Sequence, residues 1–368
     1  MTTSIRSSTS ASRPSRPALA IVCALALVAV TNLGVGHRLR PLLTNSTLAD
    51  VLELERRVDA FGAKQDVTTL VLGNSHALAA LRPPELARAC GLPPDAVFSL
   101  ALPGESAHGA YLLARDQIPR FPQAHRALVM VDELLVGQAM AQERAERLAT
   151  MGDWRERWRM VPWQVDLDGR VAVVIGAGLP ILDQGKPLLE SLAADPRAFA
   201  DTLVTGEPLR ATPGSPAARL RAAPFRWGYP PPWDVPGMMP ASTARLRRRL
   251  FRPAALEKRA GFVTRQLDVV DWGLDDLDTL CRYLEARRIT PVLVDAPMTD
   301  DLRDRLASPA HAAREALYHQ ALQASLQRTH RQVLRPPPLP REDFYDADHV
   351  LVTGARKLCA WLAASAGK

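Results

Sequence analysis

Cysteine is scarce in this chain, with four in 368 residues. Cys23 lies in an apolar run near the N-terminus, and the remaining Cys90, Cys281 and Cys359 are an odd number. That excludes a disulfide scaffold and leaves either one bridge or three buried thiols. No Cys/His cluster has metal-ligand spacing, so no metal site is read from the sequence. Gly176-Ala177-Gly178 lacks the third glycine and the strand-turn-helix setting of a dinucleotide site. No phosphate-binding loop or heptad repeat occurs, and no cofactor is expected. Acidic residues are the minority, 39 against 46 basic ones, for a net charge of +7.

Long hydrophobic runs are also few. The one of note spans residues 18–35, after a Ser/Thr/Arg-rich tail (1–17) with Arg6, Arg13 and Arg16, and before His37, Arg38 and Arg40. A basic segment before an apolar run fits a signal peptide or a signal anchor. The length is near the short end of a bilayer span. No small-x-small cleavage site follows, so the sequence predicts an uncleaved single-pass anchor with its basic tail in the cytoplasm. Either reading exports the chain from about residue 45 onward, to the periplasm or cell exterior. The next apolar stretch, 171–182, is short, carries Gly176, Gly178 and Pro180, and reads as a buried segment.

What is present is an alternation of strands and helices. Residues 45–64 repeat Leu48, Val51, Leu52, Leu54 and Val58 at helical spacing. Strands are predicted at 67–73, 96–102, 127–131, 290–294 and 332–334, and helices at 76–90 (broken by Pro83-Pro84), 106–117, 274–287, 300–306, 312–329 and 352–364. Such alternation implies an α/β fold, a parallel sheet flanked by helices in three layers. Between about 140 and 265 the chain is rich in Pro, Arg and Trp and reads as a long irregular insertion or cap. Ligands of parallel sheets bind beyond the carboxyl ends of the strands. Ser75, Gly104, Asp132 and the Asp346/His349 turn all fall there.

Two segments carry chemistry. Val71-Leu72-Gly73-Asn74-Ser75-His76 runs from a strand into a tight turn that exposes a serine. Asp346-Ala347-Asp348-His349 can set a carboxylate against one imidazole nitrogen and leave the other free. Together they hold a nucleophile, a base and an orienting acid. Taken singly, Ser75 could be a helix N-cap, His349 a loop histidine, and Asp346 and Asp348 caps of the last helix.

Gly73-Asn74-Ser75-His76 resembles the first block of the SGNH (GDSL-type) hydrolases. Leu100-Ala101-Leu102-Pro103-Gly104 resembles the second, and Asp346-Ala347-Asp348-His349 followed by Gly354-Ala355 the terminal Asp-x-x-His block. The likeness covers about 65–135 and 270–368, and is closer to membrane-anchored relatives such as alginate O-acetylation proteins and the D-alanine-transfer protein of teichoic acid synthesis. It implies an SGNH-like fold in which Ser75 attacks an ester, His349 moves the proton, Asp346 holds the imidazole, and the N–H groups of Ser75 and Gly104 face the oxyanion. It also implies an acyl donor, a polysaccharide acceptor and an integral-membrane O-acyltransferase as partners. Two departures stand out. Asn74 replaces the usual Asp, and no Gly-x-Asn third block follows the third strand, where the chain reads Val131-Asp132-Glu133-Leu134.

The expected activity is O-acyl transfer, acetyl foremost, to cell-surface polysaccharide. A carbohydrate esterase of the same fold and a catalytically silent binding subunit are its rivals. His76 either lines the pocket or sits on a helix surface, Asp132 either touches substrate or belongs to a plain loop, and Asp348 is second choice for the orienting acid. The basic run 245–252 suits an anionic polysaccharide, phospholipid headgroups or plain solvation. Nucleic acid is not expected as a partner of an exported domain.

Overall fold

The computed structural model describes residues 40–43, 49–137, 185–205, 211, 213–240, 244–265, 267 and 270–366. The tail 1–17, the anchor expected at 18–35, the apolar stretch 171–182 and the insertion's first part, 140–184, lie outside them. Among the described residues no helix is long and apolar enough to cross a membrane.

Five strands, β1 (Thr69–Leu72), β2 (Val97–Ser99), β3 (Arg126–Val131), β4 (Thr290–Asp295) and β5 (Val333–Leu334), form one all-parallel sheet ordered β2-β1-β3-β4-β5. Thr69 lies opposite Val97 on one side and Arg126 on the other, and Val131 opposite Asp295. The strand order reverses between β1 and β3, the switch point where a crevice opens in such sheets.

Fourteen helices are described: α1 (Ala49–Ala60), α2 (Ser75–Ala80), α3 (Pro83–Ala89), α4 (Ala107–Gln117), α5 (Glu133–Val136), α6 (Gly185–Ala194), α7 (Pro196–Thr205), α8 (Pro216–Ala222), α9 (Ala244–Leu250), α10 (Pro253–Arg265), α11 (Val270–Ala286), α12 (Asp300–Leu306), α13 (Ala312–Arg328) and α14 (Val352–Ala366). They pack in groups, α14 on α2 and α3, and α11 on α4, α5, α13 and β4. Successive residues of a strand point to opposite faces. Leu70, Val71 and Leu72 are all at 0% exposure, so the sheet is covered on both faces. The α/β class with a parallel sheet between helices therefore holds.

The insertion differs from expectation. Its described part is largely helical, α6 to α10, rather than irregular. Proline density hid these helices: Pro196, Pro216 and Pro253 each begin one, where the missing N–H would have had no intrahelical partner. Arginine, frequent here, is a good helix former. The stretch 223–240 is less regular and is pinned to the body. Tyr229 Oη donates to Asp50 at 2.8 Å, and Arg226 and Trp227 Nε1 donate to Asp95 at 2.6 and 2.9 Å. Ser99 N–H donates to Trp227 O at 2.8 Å, so this stretch covers the free edge of β2. A side chain on Gly228 would come within 2.1 Å of Ser99 O, which explains the glycine at that crossing. Cys90, Cys281 and Cys359 are free thiols.

Gly73 joins β1 to α2 with φ of 136°, and a Cβ there would lie 2.9 Å from Ala77 Cβ and 3.3 Å from Met130 O. Gly91 also has positive φ, 65°, but open space around it. Gly91→Ala should therefore cost about 1 kcal/mol, and Gly73→Ala about 3 kcal/mol, since strain and contact add. Urea unfolding of both variants checks this; equal losses would mean that the turn accepts a side chain.

Candidate functional site

Ser75 is the first residue of α2, directly beyond the carboxyl end of β1. Asn74 caps that helix, its Oδ1 accepting from His76 N–H at 2.9 Å. Leu102 N–H donates to Gly73 O at 3.2 Å, which lays the loop after β2 beside the serine turn. Gly104 lies in that loop with φ of 65°. The Asp346–His349 turn precedes α14. It is closed by Tyr345 N–H to His349 O at 2.8 Å, and tied to the end of β4 by Thr299, whose N–H and Oγ1 both donate to Ala347 O at 2.9 Å. Neither Asp346 nor Asp348 lies in the first turn of α14, which starts at Val352.

These supports bring residues 274 positions apart together: His349 Nε2 stands 2.9 Å from Ser75 Oγ. His349 Nδ1 faces Asp346 Oδ1 and Oδ2 at 2.9 and 3.0 Å. Asp346 Oδ1 also accepts the N–H groups of His349 and Asp348, at 2.9 and 3.2 Å, which fixes the carboxylate. Asp348 Oδ1 is farther from His349 Nδ1, at 3.3 Å. Ser75 is half-buried and His349 keeps 13% of its side chain exposed, whereas Asn74, His76, Asp132 and Asp348 are buried. A substrate can reach the serine and the outer imidazole nitrogen but not the groups behind them.

Behind the serine lies a network of charge. Asp132, at the carboxyl end of β3, accepts from Asn74 Nδ2 at 2.9 and 3.0 Å and from Leu135 N–H at 2.6 Å, which starts α5. It meets His76 Nδ1 at 2.5 Å. The far nitrogen of His76 faces Asp348 Oδ2 at 3.4 Å. Arg259 of α10 donates to that same oxygen, Nε at 2.7 Å and a terminal nitrogen at 2.6 Å. Burial works against the His76 imidazolium, but the Asp132 and Asp348 carboxylates outweigh it and push its pKa up to about 10. Burial would raise both carboxyls. The His76 charge instead brings Asp132 below its ordinary value, and the Arg259 and His76 charges bring Asp348 well below. Burial likewise opposes the charged His349, and Asp346 outweighs it, so its pKa is raised.

Of the residues singled out in the sequence, Ser75, Asp346 and His349 form one hydrogen-bonded line. His76 and Asp132 correct the alternatives left open: neither a surface histidine nor a plain loop carboxylate, they are a buried pair. Asn74 spends its amide on Asp132 and its carbonyl oxygen on the helix cap. Two further participants come from the insertion. Arg259 gave no signal among so many arginines. Trp233, held by the Arg82–Asp234 ion pair at 2.5 Å, sets its ring 5.2 Å from that of His349 and walls the site. His76, Asp348 and His349 bring candidate ligand atoms within 4.8 Å of one another, a spacing that a metal ion could also use. Arg259 already neutralises Asp348, and both histidines direct their Nδ1 atoms to carboxylates, so the geometry is that of an ion network.

No family model matches the chain, and no curated protein matches it.

The charged His76 contributes stability that is fully present below its unfolded pKa of 6.5 and is lost as pH rises through about 10. Unfolding free energy should therefore fall between pH 7 and pH 10 in the wild type, and fall less in His76→Gln. Parallel curves from denaturant titrations at the two pH values would refute a charged His76.

Proposed function

We propose that this chain is a membrane-anchored, SGNH-type serine acyltransferase that carries an O-acyl group, acetyl foremost, to a cell-surface polysaccharide on the periplasmic or outer side. The observation that carries the reading is the line Ser75 Oγ, His349 and Asp346, with contacts of 2.9 Å on both sides of the imidazole. In the proposed cycle Ser75 attacks the carbonyl carbon of an ester donor while His349 Nε2 takes its proton. The tetrahedral oxyanion meets the N–H groups of Ser75 and Gly104, each good donor being worth about 3–4 kcal/mol. Collapse expels the donor's alkoxide, which takes the proton from His349. The acceptor hydroxyl then gives its proton to His349 and attacks the acyl-serine, and collapse expels Ser75 Oγ, which takes that proton back from His349. Asp346 steadies the imidazolium in both halves.

A groove of about 360 Å³ leads away from Asp346, Ala347 and Asp348 between Leu250, Lys258, Phe262 and Arg265. Its mix of apolar surface and cations suits a sugar chain bearing acidic groups. The anchor would keep the catalytic domain beside the membrane, within reach of an integral-membrane acyltransferase as donor. A second reading, a silent subunit that binds polysaccharide, draws on Asp132: it stands where a Gly-x-Asn oxyanion donor would be expected, and its carboxylate donates nothing.

Turnover of an activated acetyl ester by the full chain tests the reading. Ser75→Ala and His349→Ala should each lower turnover by at least about 10³-fold, and Asp346→Asn by about 10²–10⁴-fold. Because the His349 pKa is raised, the rate should climb with pH through a limb above 6.5. Added polysaccharide that captures the acyl group identifies the transferase, and release to water alone identifies an esterase. Unchanged turnover in Ser75→Ala, or none in the wild type with no acylated Ser75 by mass spectrometry, would leave the silent subunit.

A further inference from the structure

His76 follows Ser75 directly in the chain, and the acyl-transfer steps do not use it. It is 3% exposed, clamped by Asp132 Oδ2 at 2.5 Å on one nitrogen and faced by Asp348 Oδ2 at 3.4 Å on the other. Its ring centroid lies 4.7 Å from that of His349, the planes tilted by 48°. The charged groups gathered about His349 come from four places. Asp346 and Asp348 share its own turn, Asp132 ends β3, His76 lies on α2 and Arg259 on α10. Three carboxylates against two fixed cations leave one net negative charge. That charge is cancelled when His349 takes the serine proton. Were His76 neutral, two negative charges would remain, and both would favour the protonated imidazole of His349. A protonated His349 cannot act as the base.

We infer that His76, held as a cation by Asp132, is a positioning residue that together with Arg259 sets the charge balance under which His349 stays available as a base. The carboxyl end of β3, where an oxyanion donor would be expected from the SGNH resemblance, is given to this balance instead. The inference rests on the acyl-transfer reading. It predicts an effect on the protonation of His349 itself, which a merely structural histidine would not have.

The test is titration of His349 by NMR in the full chain with ¹³C-labelled histidine, its resonance assigned by His349→Gln, together with the pH profile of activated-ester turnover. Removing the positive charge in His76→Gln should raise the His349 midpoint by about one pH unit, as expected for a charge within about 6 Å. The acid limb should move up in step, so turnover at a pH within the wild-type limb falls about tenfold and recovers above it. Arg259→Gln should shift the midpoint the same way, and Arg259→Lys should restore it. Arg259 is partly exposed, so its variants carry the test should His76→Gln fail to fold. A His349 midpoint unmoved or lowered in the folded variants overturns the inference. Wild-type chain with no ester turnover but a midpoint that shifts as described overturns acyl transfer and supports the charge balance. Turnover with an unmoved midpoint does the reverse.

Discussion

The buried carboxylate of Asp132 is the constraint on which the candidate site depends. Its oxygens receive the Asn74 amide, the His76 imidazole and the Leu135 N–H. The first two fix the turn that presents Ser75, and the third begins α5 at the end of the neighbouring strand. A carboxylate taken from water without partners would cost several kcal/mol. Here three donors, one of them the His76 cation, offset that cost, and the same contacts align β1 and β3 at the switch point of the sheet. Removing any one partner would leave charge stranded, so the turn and the network stand or fall together.

The second half of the site reaches the first through shape more than charge. The Asp346–His349 turn arrives beyond β5, the two-residue edge strand, and is steadied by Thr299 after β4. Gly354 of α14 comes so close that a Cβ would lie 2.8 Å from Asp343 O. This close approach draws the turn against the helix, and Lys357 pairs with buried Asp343 at 2.6 Å across the same junction. The imidazole is thus delivered to Ser75 by the backbone, and the aspartates only orient it.

How much of this was legible in the sequence follows from the range of each interaction. The apolar runs at 67–73 and 127–131 announce buried parallel strands, because both faces must be covered. Ser75, Asp346 and His349 could be picked out because each sits in a local pattern: a serine after a strand and glycine, and an Asp-x-x-His turn before a helix. The partnership of His76 with Asp132 spans 56 positions and depends on which strands neighbour each other, an order that local pattern does not contain. Arg259 was further hidden, since its contact with Asp348 depends on how α10 docks, and one arginine in a basic stretch looks like the next. The helices of the insertion are hidden for another reason: a Pro-rich composition gives little periodicity, yet Pro196, Pro216 and Pro253 stand at helix starts.

The insertion therefore belongs to the site rather than merely decorating the sheet. Trp233 walls His349, and Arg259 neutralises Asp348. The groove floored by Asp346, Ala347 and Asp348 has one side built from α10. The sheet supplies the serine and Asp132 at strand ends, and the loop after β5 supplies the histidine and the other carboxylates, positions that parallel α/β folds offer to many chemistries. From the insertion, α10 packs against α5, the short helix that follows β3. Its Arg259 pairs with Asp348, and its exposed Lys258 and Arg265 line the same groove. A single element thus reaches both the carboxylate beside His349 and the groove that leads away from it, and a change in α10 would alter the two together.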